Sequence, residues 1–370
     1  MKAKLILGLG IVVAASAAAL AQGQAPAPSN LQAPSDPRYA DVVAKCKTPP
    51  PGRAGGPAAG PRAGGAPPPA AAPAQGRGAG TPPPPAGPVE YTVTAIPDVI
   101  AAGQRWTLVY ETTGNNADGI LAAPDGSLLL AQNDNGTVLK IDGKKQVTTA
   151  YRDTNTGGAL SMNSKGALFV VSRGLNQAVL QLAPERRLHA NKYQGDAFEC
   201  FGGINDLTAD SRGGVYFTMG GLFYADPKGV VTKYGDDSLR TNGVVLSPDE
   251  KIVYVTNGQT VAAFDVQANG SLTNQREFAK LPAGGGDGLS VDSTGRLYVT
   301  AGGGAGGAAG VHVFAPDGKL LGTIAAPRSF ITAAFAGPDK KTLYAVANDR
   351  RVVEVYSIPM LAQGPKNRAK

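Results

Sequence analysis

The stretch "TNGVVLSPDEKIVYV", Thr241–Val255, decides the fold. It opens with Asn-Gly, alternates as a strand, turns at Ser-Pro-Asp-Glu and resumes as a second strand. "GDGLSVDSTGRLYVT", Gly286–Thr300, repeats the phrase with Asp-Gly at its head. Two alternating apolar runs joined by a short turn-rich segment read as an antiparallel hairpin. A carboxylate or amide keeps returning at the head of the first strand, at one distance from the turn.

Working outward, the turn residues Gly126, Gly166, Gly213, Glu250, Gly295 and Lys340 each separate two such runs. Eight positions before them stand Asp118, Gly158, Asn205, Asn242, Asp287 and Thr332, at intervals of 40, 47, 37, 45 and 45 residues. That period suits a four-stranded propeller blade. The first unit supplies "GILAAP", "SLLLAQ", "TVLKID" and "QVTTAY"; the sixth supplies three runs. Upstream of the first unit, "RWTLVYE", Arg105–Glu111, is a strand without a partner. Joined to the sixth unit it closes the ring and removes an open sheet edge. The reading is an all-β chain with a six-bladed β-propeller over residues 89–360. Two β-sandwiches would give no reason for a sixfold register.

The innermost strand of each blade lines the channel, so the head of that strand faces the axis near one mouth. Asp118, Asn205, Asn242 and Asp287 bring carboxylate and amide oxygens there, a donor set suited to a hard divalent cation, Ca²⁺ first, with Mg²⁺, Mn²⁺ or Zn²⁺ as alternatives. Gly119, Gly243 and Gly288 follow three of them, where backbones crowd at the axis. Asp206 follows Asn205 instead, placed either to support it from behind or to cap the strand. Asp125, Asp249 and Asp339 recur in the outer hairpins and read as turn residues. His189, in a polar loop, and His312, in a strand, stand outside the register.

The remainder of the chain is organised around this unit. Lys2 and Lys4 precede an apolar run to Leu20, and Ala19-Leu20-Ala21 reads as a cleavage site, so residues 1–21 are expected to be a leader, removed after Ala21. Export to the periplasm or medium follows, with no membrane span after cleavage. Residues 22–48 form a short N-terminal segment. Residues 49–88 hold 14 of the 29 prolines and no acidic residue, the composition of a disordered tether. Residues 361–370 read as a basic tail. Of the net charge of +7, residues 89–370 carry 27 basic against 26 acidic groups. A propeller so nearly neutral lacks the basic face that nucleic-acid binding needs. Cys46 and Cys200 either pair, pinning the N-terminal segment to the propeller, or remain free or pair between molecules. G-x-S-x-G, P-loop and H-E-x-x-H motifs are absent from the sequence.

The phrases "NDLTADSRGGVYFT", "TNGVVLSPDEKIVYVTN", "GDGLSVDSTGRLYVT" and "AFAGPDKKTLYAVA", in this order and spacing, resemble the senescence-marker-protein/gluconolactonase/luciferin-regenerating-enzyme family over residues 115–350. The resemblance implies a six-bladed propeller with a divalent cation on the axis and hydrolysis of lactones or related esters. It places the family's metal-binding Glu at Asp118, its N-D asparagine at Asn205, its N-G asparagine at Asn242 and its metal-binding Asp at Asp287. The substrate-contacting Arg of some members falls on Gly203, and Asp118 is one methylene shorter than Glu. The function expected is metal-dependent hydrolysis of a small lactone or ester, with Asp287 as general base. The alternative is a non-catalytic propeller that binds a ligand or protein.

Overall fold

The computed structural model describes residues 30–47, 92–282, 284–301, 310–349 and 352–370. The expected leader and tether, and most of the glycine run Ala301–Gly310, lie outside these residues.

Six four-stranded antiparallel sheets follow one another along the chain. Blade one runs Ala117–Ala122, Leu128–Gln132, Thr137–Ile141 and Val147–Tyr151. The inner strands of blades two to six are Gly157–Met162, Leu207–Ala209, Thr241–Leu246, Gly286–Val291 and Phe330–Ala336. Blade six takes its outer strand from upstream of blade one: Thr107–Thr113 pairs with Val352–Pro359. The closing strand thus begins two residues later than Arg105. Trp106, just before it, donates its indole N–H to Ala325 O at 2.9 Å and packs edge-on against Phe330. The ring is therefore shut by a ladder between strands more than 200 residues apart, which gives the strand upstream of blade one a partner.

The hairpin turns carry the same register in their backbone. Gly126, Gly166, Gly213, Glu250, Gly295 and Lys340 all take positive φ, between 52° and 97°. A left-handed residue at the turn matches the twist of the flanking strands, and Glu250 and Lys340 adopt it without being glycine. Acids brace these turns. Asp210 Oδ1 accepts from Gly214 N at 2.8 Å while its Oδ2 pairs with Arg212 and Tyr224. Asp292 repeats this with Arg296 N, the Arg296 guanidinium and Tyr298. Asp125, Asp249 and Asp339 accept turn amides, as turn residues should.

The apolar core lies between the faces of adjacent blades. Ile120 and Leu130 of blade one meet Leu160 and Leu180 of blade two in one cluster, and Val244 and Val255 of blade four meet Tyr216 and Leu222 of blade three in another. His189, expected in a loop, sits instead in the outer strand of blade two, Arg187–Ala190, buried edge-on against Phe169. "ERRLHANK" reads as polar in sequence, yet Leu188 and Ala190 are also buried there. No helix among the described residues is long and apolar enough to cross a membrane.

Two segments outside the blades matter for the site. Residues 30–47, with one short helix Tyr39–Val43, lie on the propeller: Ala33 N donates to Arg173 O at 2.8 Å, and Thr156 Oγ1 to Leu31 O at 3.0 Å. Cys46 and Cys200 form a disulfide with Cα atoms 5.5 Å apart, which fixes the end of this segment to the connection between blades two and three. Residues 361–370 cross the hairpin-turn face and enter the channel.

Candidate functional site

The strand heads are aimed at the axis by a break in each ladder. In blade one Ala117 pairs with Gln132, but the next inner pair is Ile120 with Leu130, so the inner strand carries one extra residue. Gly157/Leu160, Thr241/Val244 and Gly286/Leu289 bound the same insertion in blades two, four and five. In blade three Asn205 N donates to Thr218 O while Thr218 N donates to Asp206 O, again two residues against one. A bulge turns a side chain out of the alternating pattern. It therefore presents Asp118, Asn205, Asn242 and Asp287 to the channel rather than to a blade face. The glycine beside the bulge admits the next blade: a Cβ on Gly119 would lie 2.6 Å from Ala159 Cα, and one on Gly288 2.8 Å from Ile331 O.

Threonines from the second strands tie these bulges together. Thr218 Oγ1 donates to Asn242 O at 2.5 Å, Thr256 Oγ1 to Asp287 O at 3.1 Å and Thr300 Oγ1 to Ile331 O at 3.0 Å. The first two span from one blade to the ring position of the next, and the third to the residue just before it. The recurring "VYFT", "VYVT" and "LYVT" carry these residues in plain view, 13 or 14 positions after the ring positions.

All four expected ligands line one axial cavity of about 10 Å³, with Thr332, Asp206 and Lys370. A void of that size holds about one water or one ion. The sequence reading missed Arg173, which also lines it. Its side chain occupies the place that Gly158, the ring position without a side chain, leaves open: a Cβ on Gly158 would collide with the guanidinium. Arg173 Nη1 pairs with Asp118 Oδ2 at 2.6 Å, and Nη2 donates to Asn205 Oδ1 at 2.7 Å and to Asn205 O at 2.5 Å. Asn205 Nδ2 in turn donates to Asn242 Oδ1 at 2.7 Å. The corresponding positions of blades one, three and four are Asn133, Gly220 and Gly258. A cationic side chain in that register was the available signal.

Asp287 is half-buried. Burial pushes its carboxyl up to about 7, and the neighbouring Asp118 and Asp206 carboxylates add to the rise against the opposing pull of Arg173 and a hydrogen bond from Asn242. Asp206 stands behind the ring: Oδ2 accepts from Val244 N at 2.8 Å, and Oδ1 accepts from Leu207 N and meets the Lys370 ammonium. It thus anchors the first strands of blades three and four to each other. Chemically the donor set is all oxygen and surrounds an ion-sized void, as a hard divalent cation requires. Two of its members are already held by Arg173. Among the described residues no three of His, Cys, Asp and Glu are grouped to hold a metal, so such a site depends on the amide oxygens of Asn205 and Asn242.

A six-bladed propeller with polar groups from its bulged inner strands gathered on the axis defines the structural class. The chain belongs to the SMP-30/gluconolactonase/LRE-like family, whose model matches residues 144–348. That span contains Arg173, Asn205, Asn242 and Asp287; Asp118 precedes it. A gluconolactonase of Zymomonas mobilis is 27% identical over 239 residues, which cover 55% of this chain and 64%, less than two thirds, of that protein. A gluconolactonase of Xanthomonas campestris superposes with a TM-score of 0.61 at 21% identity, over 73% of this chain and 94% of that one. Regucalcin of Agrobacterium tumefaciens, described as a calcium-binding protein, superposes with a TM-score of 0.57 at 18% identity, over 71% of this chain and 95% of that one.

Proposed function

We propose that this protein hydrolyses a small lactone or ester at the axial mouth, with Asp287 as general base. The observation that carries the reading is the convergence of Asp118, Asn205, Asn242 and Asp287, with Arg173 among them, on one small axial cavity. Membership of a family that includes gluconolactonases supports the substrate class.

Asp287 takes a proton from water as the water oxygen bonds to the carbonyl carbon. The carbonyl oxygen gains the negative charge and is received by donors of the ring: the Arg173 guanidinium and the side-chain N–H groups of Asn205 and Asn242. The ring C–O bond then breaks, and the leaving oxygen takes the proton back from Asp287. A carboxyl raised toward neutrality, as Asp287 is, suits both halves of this exchange. Asp118, Asn205, Asn242 and Asp287 would hold a divalent cation, calcium by analogy with regucalcin, which when bound would supply Lewis-acid polarisation of the carbonyl. An exported location belongs to the same reading; the bonded Cys46–Cys200 pair supports it, because such bonds persist in oxidising compartments.

The test is hydrolysis of a panel of sugar and aliphatic lactones and esters by the full chain, with Ca²⁺, Mg²⁺ or Mn²⁺ and with chelator. Asp287→Asn keeps an oxygen but loses the base and should lower kcat by about 10²-fold or more. Wild-type turnover by Asp287→Asn would end this mechanism. Cation binding without hydrolysis of any panel member would favour a propeller that serves as a binding platform.

A further inference from the structure

The segment after the last blade strand does not leave the propeller. Met360 N donates to Lys341 O, Gly364 N to Lys340 O, and Gln363 O accepts from Ser293 N, which lays the chain across the hairpin-turn face. Lys340 Nζ clamps it by donating to the carbonyls of Pro365 and Arg368 at 2.6 and 2.8 Å. The chain then enters the channel, where Ala369 and Met162 exchange two backbone hydrogen bonds at 3.1 and 3.2 Å. Arg368, 5% exposed, donates to Thr208 Oγ1 at 2.7 Å on the inner strand of blade three and to Ser247 O at 3.3 Å just past the inner strand of blade four. These contacts deliver Lys370, 8% exposed, to the underside of the ring, where its ammonium pairs with Asp206 and donates to Leu207 O at 3.2 Å.

Lys370 and the ring carboxylates line the same cavity. Three carboxylates, Asp118, Asp206 and Asp287, would face Arg173 alone without it. A charge this buried acts at low effective dielectric, where its influence on neighbouring charges is strong. The affinity of an oxygen-lined site for calcium follows its net ligand charge.

We propose that Lys370 is a positioning residue of the axial site, a resident ammonium that neutralises Asp206 and sets how strongly the ring attracts a cation. The inference rests on the reading of the ring as a cation site and not on hydrolysis. It makes the segment Lys366–Lys370 a plug that sets the Lys370 ammonium against the ring, and it gives the buried Arg368 and the Lys340 clamp a purpose: they hold the plug at the depth where Lys370 reaches Asp206.

The experiment is calorimetric titration of the full chain with calcium chloride at constant pH. Lys370→Met should bind calcium at least tenfold more tightly than the wild type, and Lys370→Arg within about threefold of it. Lys370→Gln keeps a hydrogen bond to Asp206 without the charge and should also tighten binding about tenfold; it serves where Lys370→Met does not fold. Asp206→Asn combined with Lys370→Met removes both charges and should return the affinity to within about threefold of the wild type. Unchanged or weaker binding in the folded neutral variants overturns the proposal, as does calcium binding to none of the proteins. A tightened affinity with no lactone hydrolysis would sink the hydrolase reading and leave this one standing; intact hydrolysis with unmoved affinity would do the reverse.

Discussion

The guanidinium of Arg173 stands 2.6 Å from Asp118 across the blade one–blade two boundary, in the space that Gly158 leaves empty. Six blades thus contribute six groups to the axis, but blade two contributes its group from the end of its second strand. The same guanidinium reaches Asn205 of blade three, so one side chain sets the spacing of three consecutive blades at the ring.

Removing that guanidinium should loosen both neighbours and, under the proposed mechanism, remove a donor to the carbonyl oxygen. Arg173→Ala is expected to lower kcat/KM by about 10²- to 10³-fold, the range for loss of one oriented donor. Arg173→Lys keeps the charge but cannot span Asp118 and Asn205 together, so it should recover only a small part. Steady-state kinetics on whichever lactone is turned over decides the matter; full activity in Arg173→Ala would show that the guanidinium is a bystander.

Gly119 tests the ring from the packing side. A Cβ there would meet the backbone of Ala159 and Leu160 at 2.6 and 2.7 Å, and backbone cannot swing aside as a side chain can. Gly119→Ala should therefore cost about 1–3 kcal/mol, as overpacked sites do, and displace Asp118 beside it. Gly143, whose added Cβ would meet nothing within 4 Å, is the control: Gly143→Ala should stay within about 0.5 kcal/mol of the wild type. Denaturant unfolding of both variants gives the comparison, and equal stabilities would refute the packing argument.

Much of this architecture was legible because the two strongest local signals, period-2 alternation and turn chemistry, repeat six times. The turn residues share a left-handed φ, and counting back from them reaches the ring positions. What the count could not give was the bulge, because an extra residue is visible only against its partner strand. Arg173 was hidden for a related reason. It follows a strand end, and only the missing side chain of Gly158 on a neighbouring strand makes its place on the axis. Asp210 and Asp292 sit in the most family-like phrases yet brace hairpins, so a repeated acid alone does not mark a site. The course of residues 361–370 was illegible because its buried Arg368 and Lys370 are charged. Their burial depends on carbonyls and a carboxylate supplied by blades three and four.

The Cys46–Cys200 bond closes a loop of 154 residues in sequence. Cross-links over long loops restrict the unfolded chain, typically stabilising by about 2–4 kcal/mol. Cys46→Ser should lose stability on that scale in chemical denaturation. It should also speed hydrogen exchange at the Ala33 amide, which donates to Arg173 O and lies on the segment the bond secures. A loss under about 0.5 kcal/mol with unchanged exchange would mean that the segment holds its place without the bond.

His189 gives the fold a pH dependence of definite sign. Its ring is 1% exposed and packed edge-on against Phe169 with centroids 5.3 Å apart. Burial pushes it down to about 4, and the charge of Arg187 adds to the fall, while Asp226 and Asp210 pull the other way. The unfolded chain takes a proton at this residue below about pH 6.5, whereas the fold refuses it until about 4. Below pH 6.5 the unfolded state therefore binds more protons, and stability drops as the pH falls through that window. For one group the total is about 3 kcal/mol, complete near pH 4 and absent above pH 7. His189→Leu keeps an apolar partner for Phe169 and carries no proton. Carboxylates titrate in both proteins, so the quantity to compare is the stability lost between pH 7 and pH 4. That loss should be smaller in His189→Leu than in the wild type by about 3 kcal/mol; equal losses would show that His189 is protonated as readily in the fold as in the unfolded chain.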